Sequence, residues 1–284
     1  MRNNSSASGV KVTTRNVIFA SLIVLACGYS ATIDASSINI VVLTTRDAEI
    51  SAVIEALGCT PGEQTEIARR TISSVECENA IVRIVRCGAG IVNGVMTAQL
   101  MIDHFRPDLM LSIGLCAGID DSLVVGDIAL VETFDRHDVG TFTDAGFIHG
   151  TAWYRKTRIA TRELMPDEAR WEDILRAFTA PGDKPFVTAT LATGDSFIRS
   201  SLKRSWIRQK LGAQIVDMSG AAVAAVAEAN KTPLIVFRQV SDLGDDRAGA
   251  QFGQSAALPA RELGDLVANT IDIWVDMEQG VQRD

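Results

Sequence analysis

The feature that most constrains the fold is an alternation of apolar, β-branched runs with amphipathic or alanine-rich segments. Residues 38–43, Ile-Asn-Ile-Val-Val-Leu, precede a polar turn and an amphipathic helix over 48–57 that Gly58 closes. Nearly continuous apolar runs are typical of strands buried on both faces of a parallel sheet. A strand that leads at once into a helix is the opening of an α/β unit.

The same alternation continues to residue 277. Further strands are predicted over 80–86, 109–113, 125–131, 186–191, 214–216 and 234–240. Further helices are predicted over 93–105, 166–178, 218–230 and 260–277, with a basic helix that ends at Leu211. Glycine-rich turns are predicted at 87–90 and 114–118, where open α/β sheets bind ligands. We expect one α/β domain over 38–284, with a parallel or mixed central sheet.

Residues 1–31 have the pattern of a secretory signal. Three basic residues and no acidic residue lead into the apolar run 17–26, which is shorter than the roughly 20 residues that a membrane-spanning helix needs. We therefore predict export, removal of residues 1–31 and a short linker over 32–37. An uncleaved membrane anchor is the alternative.

The cleavage zone allows two outcomes. Residues 24–28, Val-Leu-Ala-Cys-Gly, resemble the lipobox at which bacterial lipoproteins are cut and acylated, which makes Cys27 a candidate lipid anchor. Cleavage by the ordinary peptidase near Gly28, Ser30 or Ala31 is equally compatible with the sequence. The expected location is the periplasm, as a free protein or as a membrane-anchored lipoprotein.

Charge and cysteine usage exclude several functions. The formal net charge is −8, and loss of the three basic signal residues makes it −11, so a nucleic-acid partner is not expected. Cys59 and Cys77 are a conceivable disulfide in an oxidising compartment, whereas Cys87 and Cys116 have the setting of small buried residues. The cysteine spacings match no zinc site and only three histidines are present, so we predict no metal.

Two carboxylates are candidates for chemistry. Asp242 follows the strand over 234–240, where burial of one flank is expected to raise its pKa, and Asp245 and Asp246 add to that effect. Glu49 lies in the first turn after the first strand and can face the same crevice. Such a pair can serve as acid and base in cleaving a glycosidic bond. Read alone, the aspartate is also typical of a turn, and Glu49 of a solvent-facing helix residue.

Five motifs stand in order along the chain. They are IGLCAG at 113–118, VGDIAL at 125–130, TGDSFI at 193–198, VDMSGAAVAAVA at 216–227 and FRQVSD at 237–242. Together they resemble the nucleoside phosphorylase and nucleosidase superfamily, and within it most of all the methylthioadenosine/S-adenosylhomocysteine nucleosidases. The resemblance implies a three-layer α/β/α sandwich around a mixed, partly barrel-like sheet, assembled as a homo-oligomer, with a dimer favoured.

The resemblance also implies an activity. It predicts hydrolysis of the N-glycosidic bond of a purine nucleoside, such as a 5′-substituted adenosine, with no cofactor. Asp242 then matches the general acid that protonates N7 of the leaving purine. Glu49 matches the carboxylate that activates the attacking water.

Further residues match substrate-binding positions of the family. Phe197 matches the aromatic that stacks on the base, and Phe252 an aromatic that closes over the 5′ side. Met218 matches the residue packed under the ribose, and Arg238 the arginine that organises the acidic site. Cys87 is expected to contact the substrate as well.

The identity of the acceptor is argued from charge. A phosphorylase must hold a phosphate dianion with arginines, and in the superfamily one of them directly precedes the Ile-Gly turn of the third strand. Ser112 stands there in this chain, which favours water. Arg46 is the one nearby group able to meet an anion or a polar 5′ group.

One position departs from the family pattern. A glutamate that grips the ribose hydroxyls is replaced by Ser219, and one neutral hydroxyl cannot hold two ribose hydroxyls as an ionised carboxylate with two oxygens does. Asp217 substitutes for it, or the sugar is a deoxyribose, or catalysis is lost and binding remains. The alternatives to a nucleosidase are therefore a non-catalytic nucleoside-binding protein and a phosphate-dependent phosphorylase.

Overall fold

The computed structural model describes residues 37–150, 158–179, 186–254 and 260–281. The predicted signal, almost all of the predicted linker and Cys27 lie outside the described residues. Residues 36–284 form one compact unit. Among the described helices, none is both long and apolar enough to cross a membrane.

The described residues form twelve strands and seven α-helices, with a short 3-10 helix over Thr161–Leu164. The strands are β1 (Ile38–Thr44), β2 (Thr60–Ile67), β3 (Arg70–Glu76), β4 (Ala80–Arg86), β5 (Leu109–Gly118), β6 (Ile128–Arg136), β7 (Gly140–Thr143), β8 (Gly146–His149), β9 (Ile159–Ala160), β10 (Val187–Thr193), β11 (Ile215–Asp217) and β12 (Leu234–Asp242). The helices are α1 (Asp47–Leu57), α2 (Ile91–Phe105), α3 (Glu168–Thr179), α4 (Ser201–Leu211), α5 (Gly220–Asn230), α6 (Ala248–Gln254) and α7 (Arg261–Gln279).

Ten of these strands form one mixed sheet. Its order is β11-β10-β6-β12-β5-β1-β4-β3-β2, and β9 pairs with β6. The short strand β11 also pairs antiparallel with β5, so that β5, β12, β6, β10 and β11 close on themselves. The remaining strands, β7 and β8, form a separate hairpin. The predicted mixed, partly barrel-like sheet is confirmed.

Helices cover both faces of the sheet, and β1 shows how the sequence requires this. Ile40 and Val42 belong to the core that contains residues of α1, α3 and α7. Val41 and Leu43 point to the opposite face, into the core that contains residues of α2 and α5. Because both faces are buried, the central positions Ile40 to Leu43 are all apolar. The predicted three-layer sandwich is confirmed.

One predicted turn is wrong. Residues 114–118 are not a turn but the second half of β5, which pairs with β12 on one side and with β11 on the other. The glycines in this segment allow neighbouring segments of the protein to approach the strand closely. A Cβ atom on Gly114 would lie 2.5 Å from Cγ2 of Thr45.

The β2–β3 hairpin gives no apolar signal in the sequence. Residues of β2 are mostly exposed, since β2 is the last strand at this edge of the sheet. Backbone pairing with β3, rather than burial, defines it. Cys59 and Cys77, which flank the hairpin, form a disulfide with a Cα–Cα distance of 5.2 Å. This pair was expected from the sequence and is confirmed.

Candidate active site

A cavity lies where the strands of the closed part of the sheet end. Its lining comes from the residues that follow β1, β4 and β10, from β5 and β11, and from the end of β12. The predicted site residues that line it are Phe197, Met218, Ser219, Asp242 and Phe252. Other polar residues of the lining are Thr45, Arg46, Ser196, Asp217 and Ser241. The carboxyl ends of strands are the usual place for a ligand in an α/β fold.

Asp242 is the buried acid of this cavity. It is the last residue of β12, and the pairing of β12 with β5 shifts register between Val240 and Asp242, which turns the side chain out of the regular strand pattern. Only 1% of the residue is exposed. Burial raises the pKa of the Asp242 carboxyl, and the charge of Asp245 raises it further, as predicted.

Two hydrogen bonds act against the effect of burial on Asp242. The backbone N–H of Gly244 donates to Oδ1 at 3.0 Å, and the hydroxyl of Ser241 lies 2.9 Å from Oδ2. Both contacts favour the ionised carboxylate and lower the pKa. The net direction remains upward, because loss of hydration is the largest contribution.

Glu49 lies behind the lining. It is the third residue of α1 and is completely buried. Its Oε2 accepts hydrogen bonds from the backbone N–H groups of Thr45 at 2.7 Å and Arg46 at 3.0 Å. Its Oε1 accepts from Nε of Arg46 at 2.8 Å. The structure therefore brings Glu49 to the site, but Thr45 and Arg46 stand between it and the cavity.

Arg238 is buried beneath the cavity and does not line it. Its Nε donates to Oδ2 of Asp217 at 2.9 Å, and both partners are almost completely buried. Its terminal nitrogens donate to the backbone and side-chain oxygens of Ser112 at 3.0 and 3.2 Å. The arginine thus organises Asp217 rather than the two candidate catalytic carboxylates.

The contacts of Asp217 exclude it as a substitute for the missing glutamate. Besides Arg238, the Asp217 carboxylate accepts from the Thr193 hydroxyl at 2.6 Å and from the backbone N–H of Gly220 at 2.9 Å. These donors use the oxygens that a sugar would need. Ser219 begins α5, yet no hydrogen bond involves its hydroxyl in the described part of the chain, because Asp217 caps the helix.

The two predicted aromatic residues meet at the cavity. The rings of Phe197 and Phe252 lie 5.4 Å apart in an edge-to-face arrangement. They are 41% and 46% exposed, so ring surface remains accessible from the cavity. The ring surfaces that form such edge-to-face pairs can also stack on a planar ligand.

Cys87, which the sequence analysis predicts to contact the substrate, lies apart from the predicted residues that line the cavity. Cys87 is buried and is not part of the cavity lining, and its thiol lies 3.5 Å from the carbonyl oxygen of Asn93. Cys116, on β5, lines the cavity instead. Burial raises the pKa of both thiols, so both remain protonated, apolar packing groups. The prediction that both cysteines are buried is confirmed.

The loop after β10 is held in place by its neighbours. Oδ1 of Asp195 accepts from the backbone N–H of Ile91 at the start of α2. Gly194 packs on the ring of His137, since a Cβ there would lie 2.2 Å from Cε1. Burial, with a smaller contribution from the charge of Lys203, lowers the pKa of His137 to about 4. The imidazole is therefore a neutral wall behind the loop that carries Phe197.

Three hydroxyl residues of the lining, Thr45, Ser196 and Ser241, are not among the predicted site residues. Ser196 and Ser241 lie within the TGDSFI and FRQVSD motifs, and Thr45 follows the first predicted strand, so motif membership and position are the signals that could have indicated them. Ser241 lies 3.0 Å from the carbonyl oxygen of Cys116 as well as next to the carboxyl group of Asp242. Through these contacts the Ser241 hydroxyl links the carboxyl group of Asp242 to β5.

The fold and the site define a class. A buried carboxyl group of raised pKa and an aromatic pair at the strand ends of an α/β/α sandwich make a site for a small, planar organic ligand. A family model for the phosphorylase superfamily matches residues 39–272. The chain belongs to the phosphorylase superfamily.

Several nucleosidases are similar to this chain. The 5′-methylthioadenosine/S-adenosylhomocysteine nucleosidase of Geobacillus kaustophilus (strain HTA426) is 30% identical over 217 residues, which cover 76% of this chain and 88% of that protein. The crystal structure of the Helicobacter pylori nucleosidase of the same name, with butyl-thio-DADMe-Immucillin-A, matches with a TM-score of 0.72 at 21% identity, covering 83% of this chain and 98% of that one.

A second activity occurs among the structural neighbours. A mutant of futalosine hydrolase from Helicobacter pylori strain 26695 matches with a TM-score of 0.70 at 20% identity, covering 84% of this chain and 99% of that one. At this identity the likeness concerns the fold alone.

The raised pKa of Asp242 predicts a pH-dependent stability difference. Ionising the buried carboxyl costs the folded state free energy, and this cost is absent below the unfolded pKa of about 4 and grows as pH rises through the folded value. We expect Asp242→Asn to raise the free energy of unfolding more at about pH 8 than at about pH 4. Thermal melts across this range measure the difference.

Asp245 supplies a control of opposite sign. Its pKa is lowered, chiefly by the side-chain hydrogen bonds from Arg247. Asp245→Asn should therefore be less stable than wild type above about pH 4, the unfolded value, and this difference should shrink as pH falls below that value. A difference between wild type and Asp242→Asn that stays constant with pH would contradict the assignment.

Proposed function

We propose that the protein hydrolyses the N-glycosidic bond of a purine nucleoside related to 5′-methylthioadenosine or S-adenosylhomocysteine, releasing free base and sugar. The observation that carries the proposal is Asp242, a carboxyl group that lines the cavity, is 1% exposed and has a raised pKa. Such a group holds a proton that a leaving purine can take. The similarity of the chain to nucleosidases supports the same reaction.

In this mechanism Asp242 protonates N7 of the purine, so that the base leaves as a neutral molecule. The proton transfer leaves a buried carboxylate, which is unfavourable without compensation. The N–H of Gly244 and the hydroxyl of Ser241, both within 3.0 Å, stabilise that carboxylate as it forms. The same contacts are compatible with the protonated acid before the reaction.

Glu49 is the proposed general base for water. Its carboxylate is ordered by backbone N–H donors from two successive residues and by the Nε of Arg46. The cationic Arg46 forms an ion pair with the Glu49 carboxylate, and the two backbone N–H groups hold the carboxylate in one orientation. A positioned base of this kind contributes about 10²- to 10⁴-fold to a rate.

Water is favoured over phosphate as the acceptor. Arg46 is the one arginine in the cavity lining of the described chain, and it already pairs with Glu49. Arg238 lies behind the lining and is bonded to Asp217 and Ser112. A phosphate dianion in a dry site calls for more than one available cation.

The direct test is release of free base from methylthioadenosine, adenosine, inosine and 2′-deoxyadenosine by residues 32–284, with and without phosphate. We expect release that does not depend on phosphate. Asp242→Asn and Glu49→Gln should each lower kcat by about 10²-fold or more, because each removes a proton-transfer group. Release only with phosphate would identify a phosphorylase, and nucleoside binding without release would identify a binding protein.

Ser219 predicts weak discrimination at the sugar. Its hydroxyl offers a single contact at the sugar side, and Asp217 is committed to other donors. We expect similar kcat/KM values for adenosine and 2′-deoxyadenosine. Ser219→Glu should raise the preference for the ribonucleoside by about tenfold, since one charge-assisted hydrogen bond contributes about 1.5–3 kcal/mol. Ser219→Ala is the matched control and should leave the ratio unchanged; an unchanged ratio in Ser219→Glu would refute this account.

We also propose that the chain is exported. The basic, then apolar, pattern of residues 1–31 supports export, and the disulfide between Cys59 and Cys77 fits an oxidising compartment. Cys27 remains the candidate for acylation. Free Cys87 and Cys116 are buried, which protects them from oxidation in such a compartment.

A homodimer is the proposed assembly. Large apolar side chains are exposed on α2, on the β7–β8 hairpin and on α4. They include Val92 at 68%, Met96 at 49%, Phe142 at 84%, Ile148 at 57% and Leu202 at 85% exposed. Apolar side chains in such numbers are typical of surfaces that bind another protein.

One preparation tests both proposals. The full chain is expressed in a Gram-negative host, and the periplasmic extract is analysed by size-exclusion chromatography with light scattering. We expect the processed protein in the extract at the mass of a dimer, and intact mass spectrometry then locates the cleavage site. Retention in the cytoplasm with residues 1–31 intact would contradict export, and a monomer at micromolar concentration would contradict the dimer.

A further inference from the structure

Glu49 has no direct access to the cavity. It is completely buried, whereas Thr45 and Arg46, the residues that donate to it, line the cavity. A water molecule in the cavity therefore meets Thr45 or Arg46 before it meets the carboxylate. A base in this position needs a group that passes the proton on.

The chemistry of the contacts of Glu49 selects that group. The carboxylate has three kinds of neighbour: two backbone N–H groups, the Nε of Arg46, and the hydroxyl of Thr45. Backbone N–H groups and guanidinium groups donate hydrogen bonds but accept none, so they cannot take up a proton from water. A hydroxyl both donates and accepts, so among these contacts of the described residues the hydroxyl of Thr45 is the one able to relay a proton.

The geometry of Thr45 suits this role. Its Oγ1 lies 3.2 Å from Oε2 and 3.4 Å from Oε1 of Glu49. The side chain packs on Gly114, where a Cβ would lie 2.5 Å from Cγ2 and 2.8 Å from Oγ1 of Thr45. A β-branched side chain held against backbone in this way has little rotational freedom, so the hydroxyl stays beside the carboxylate.

We propose that Thr45 is a catalytic residue that carries the proton from the attacking water to Glu49. The water oxygen bonds to C1′ of the sugar while the bond from C1′ to the purine nitrogen breaks. One water proton passes to Oγ1 of Thr45 as the original hydroxyl proton passes to a carboxylate oxygen of Glu49. The electron pair of the broken bond goes to the purine, which takes the proton of Asp242. This inference rests on the proposed hydrolysis.

The first test compares Thr45→Val with Thr45→Ser. The valine variant keeps the shape and removes the hydroxyl, and it should lower kcat by about 10²-fold with KM within about threefold of wild type. The serine variant keeps the hydroxyl and should stay within about fivefold of wild type. Thr270→Val removes a buried hydroxyl from α7 and should leave kcat unchanged. If the valine variant does not fold, Thr45→Ala replaces it.

A double-mutant cycle separates relay from packing. If Thr45 acts through Glu49, the double variant Thr45→Val/Glu49→Gln should have the same kcat as Glu49→Gln alone, within about threefold. If Thr45 only supports the fold of the site, the two losses should multiply, and that result would overturn the proposal.

The remaining outcomes are also decisive. An active wild type whose Thr45→Val variant retains full kcat overturns the relay and leaves the proposed function standing. A wild type that releases no base from any nucleoside overturns the proposed function and the relay together. Low kcat in both Thr45→Val and Thr45→Ser, with melting temperatures equal to wild type, shows that a hydroxyl at this position does not sustain the rate and overturns the relay.

Discussion

The buried ion pair of Arg238 and Asp217 is the interaction on which the rest of the site depends. Arg238 on β12 reaches Ser112 on β5, while Asp217 on β11 binds Thr193 on β10 and caps α5. One network thus joins four strands of the closed sheet to a helix. Removing one partner of such a pair costs about 3–5 kcal/mol, because the other is left buried and charged. The network tolerates burial because every strong donor and acceptor in it has a partner.

Around this network the two candidate carboxylates have opposite environments. Asp242 has two local donors and loses most of its hydration, which favours its protonated form. Glu49 instead accepts hydrogen bonds from two backbone donors, a hydroxyl and a guanidinium. One fold can run acid and base chemistry at a single pH when two such environments lie at one cavity. This difference between the two carboxylates follows from their positions, because Asp242 is the last residue of β12 and Glu49 lies in the first turn of α1.

The sequence predicts the parts of this structure that burial defines. The run over 38–43 identifies a strand buried on both faces, and the position of Asp242 after an apolar strand makes it a candidate for a buried acid. Strand β2 escapes prediction because backbone pairing with β3 defines it, and its side chains remain mostly exposed. Cys87 and Thr45 show the same limit at the site. A glycine-rich turn does not reveal which thiol faces the cavity. The sequence shows only that Thr45 lies four residues before Glu49, whereas its packing on Gly114 depends on β5, a strand distant in sequence.

The closure of the sheet through β11 and β5 has a consequence for how such a protein can change over time. Asp242 and Asp217 both sit on strands that pair with β5, at neighbouring register positions, so their backbones cannot move apart without breaking the closed sheet. Ser219 and Arg46, by contrast, lie at the ends of helices and are not part of any strand pairing. Substitutions at Ser219 and Arg46 can therefore change the cavity lining without displacing the backbone that carries Asp242. The architecture separates lining positions that are free of the sheet from those that are fixed by it.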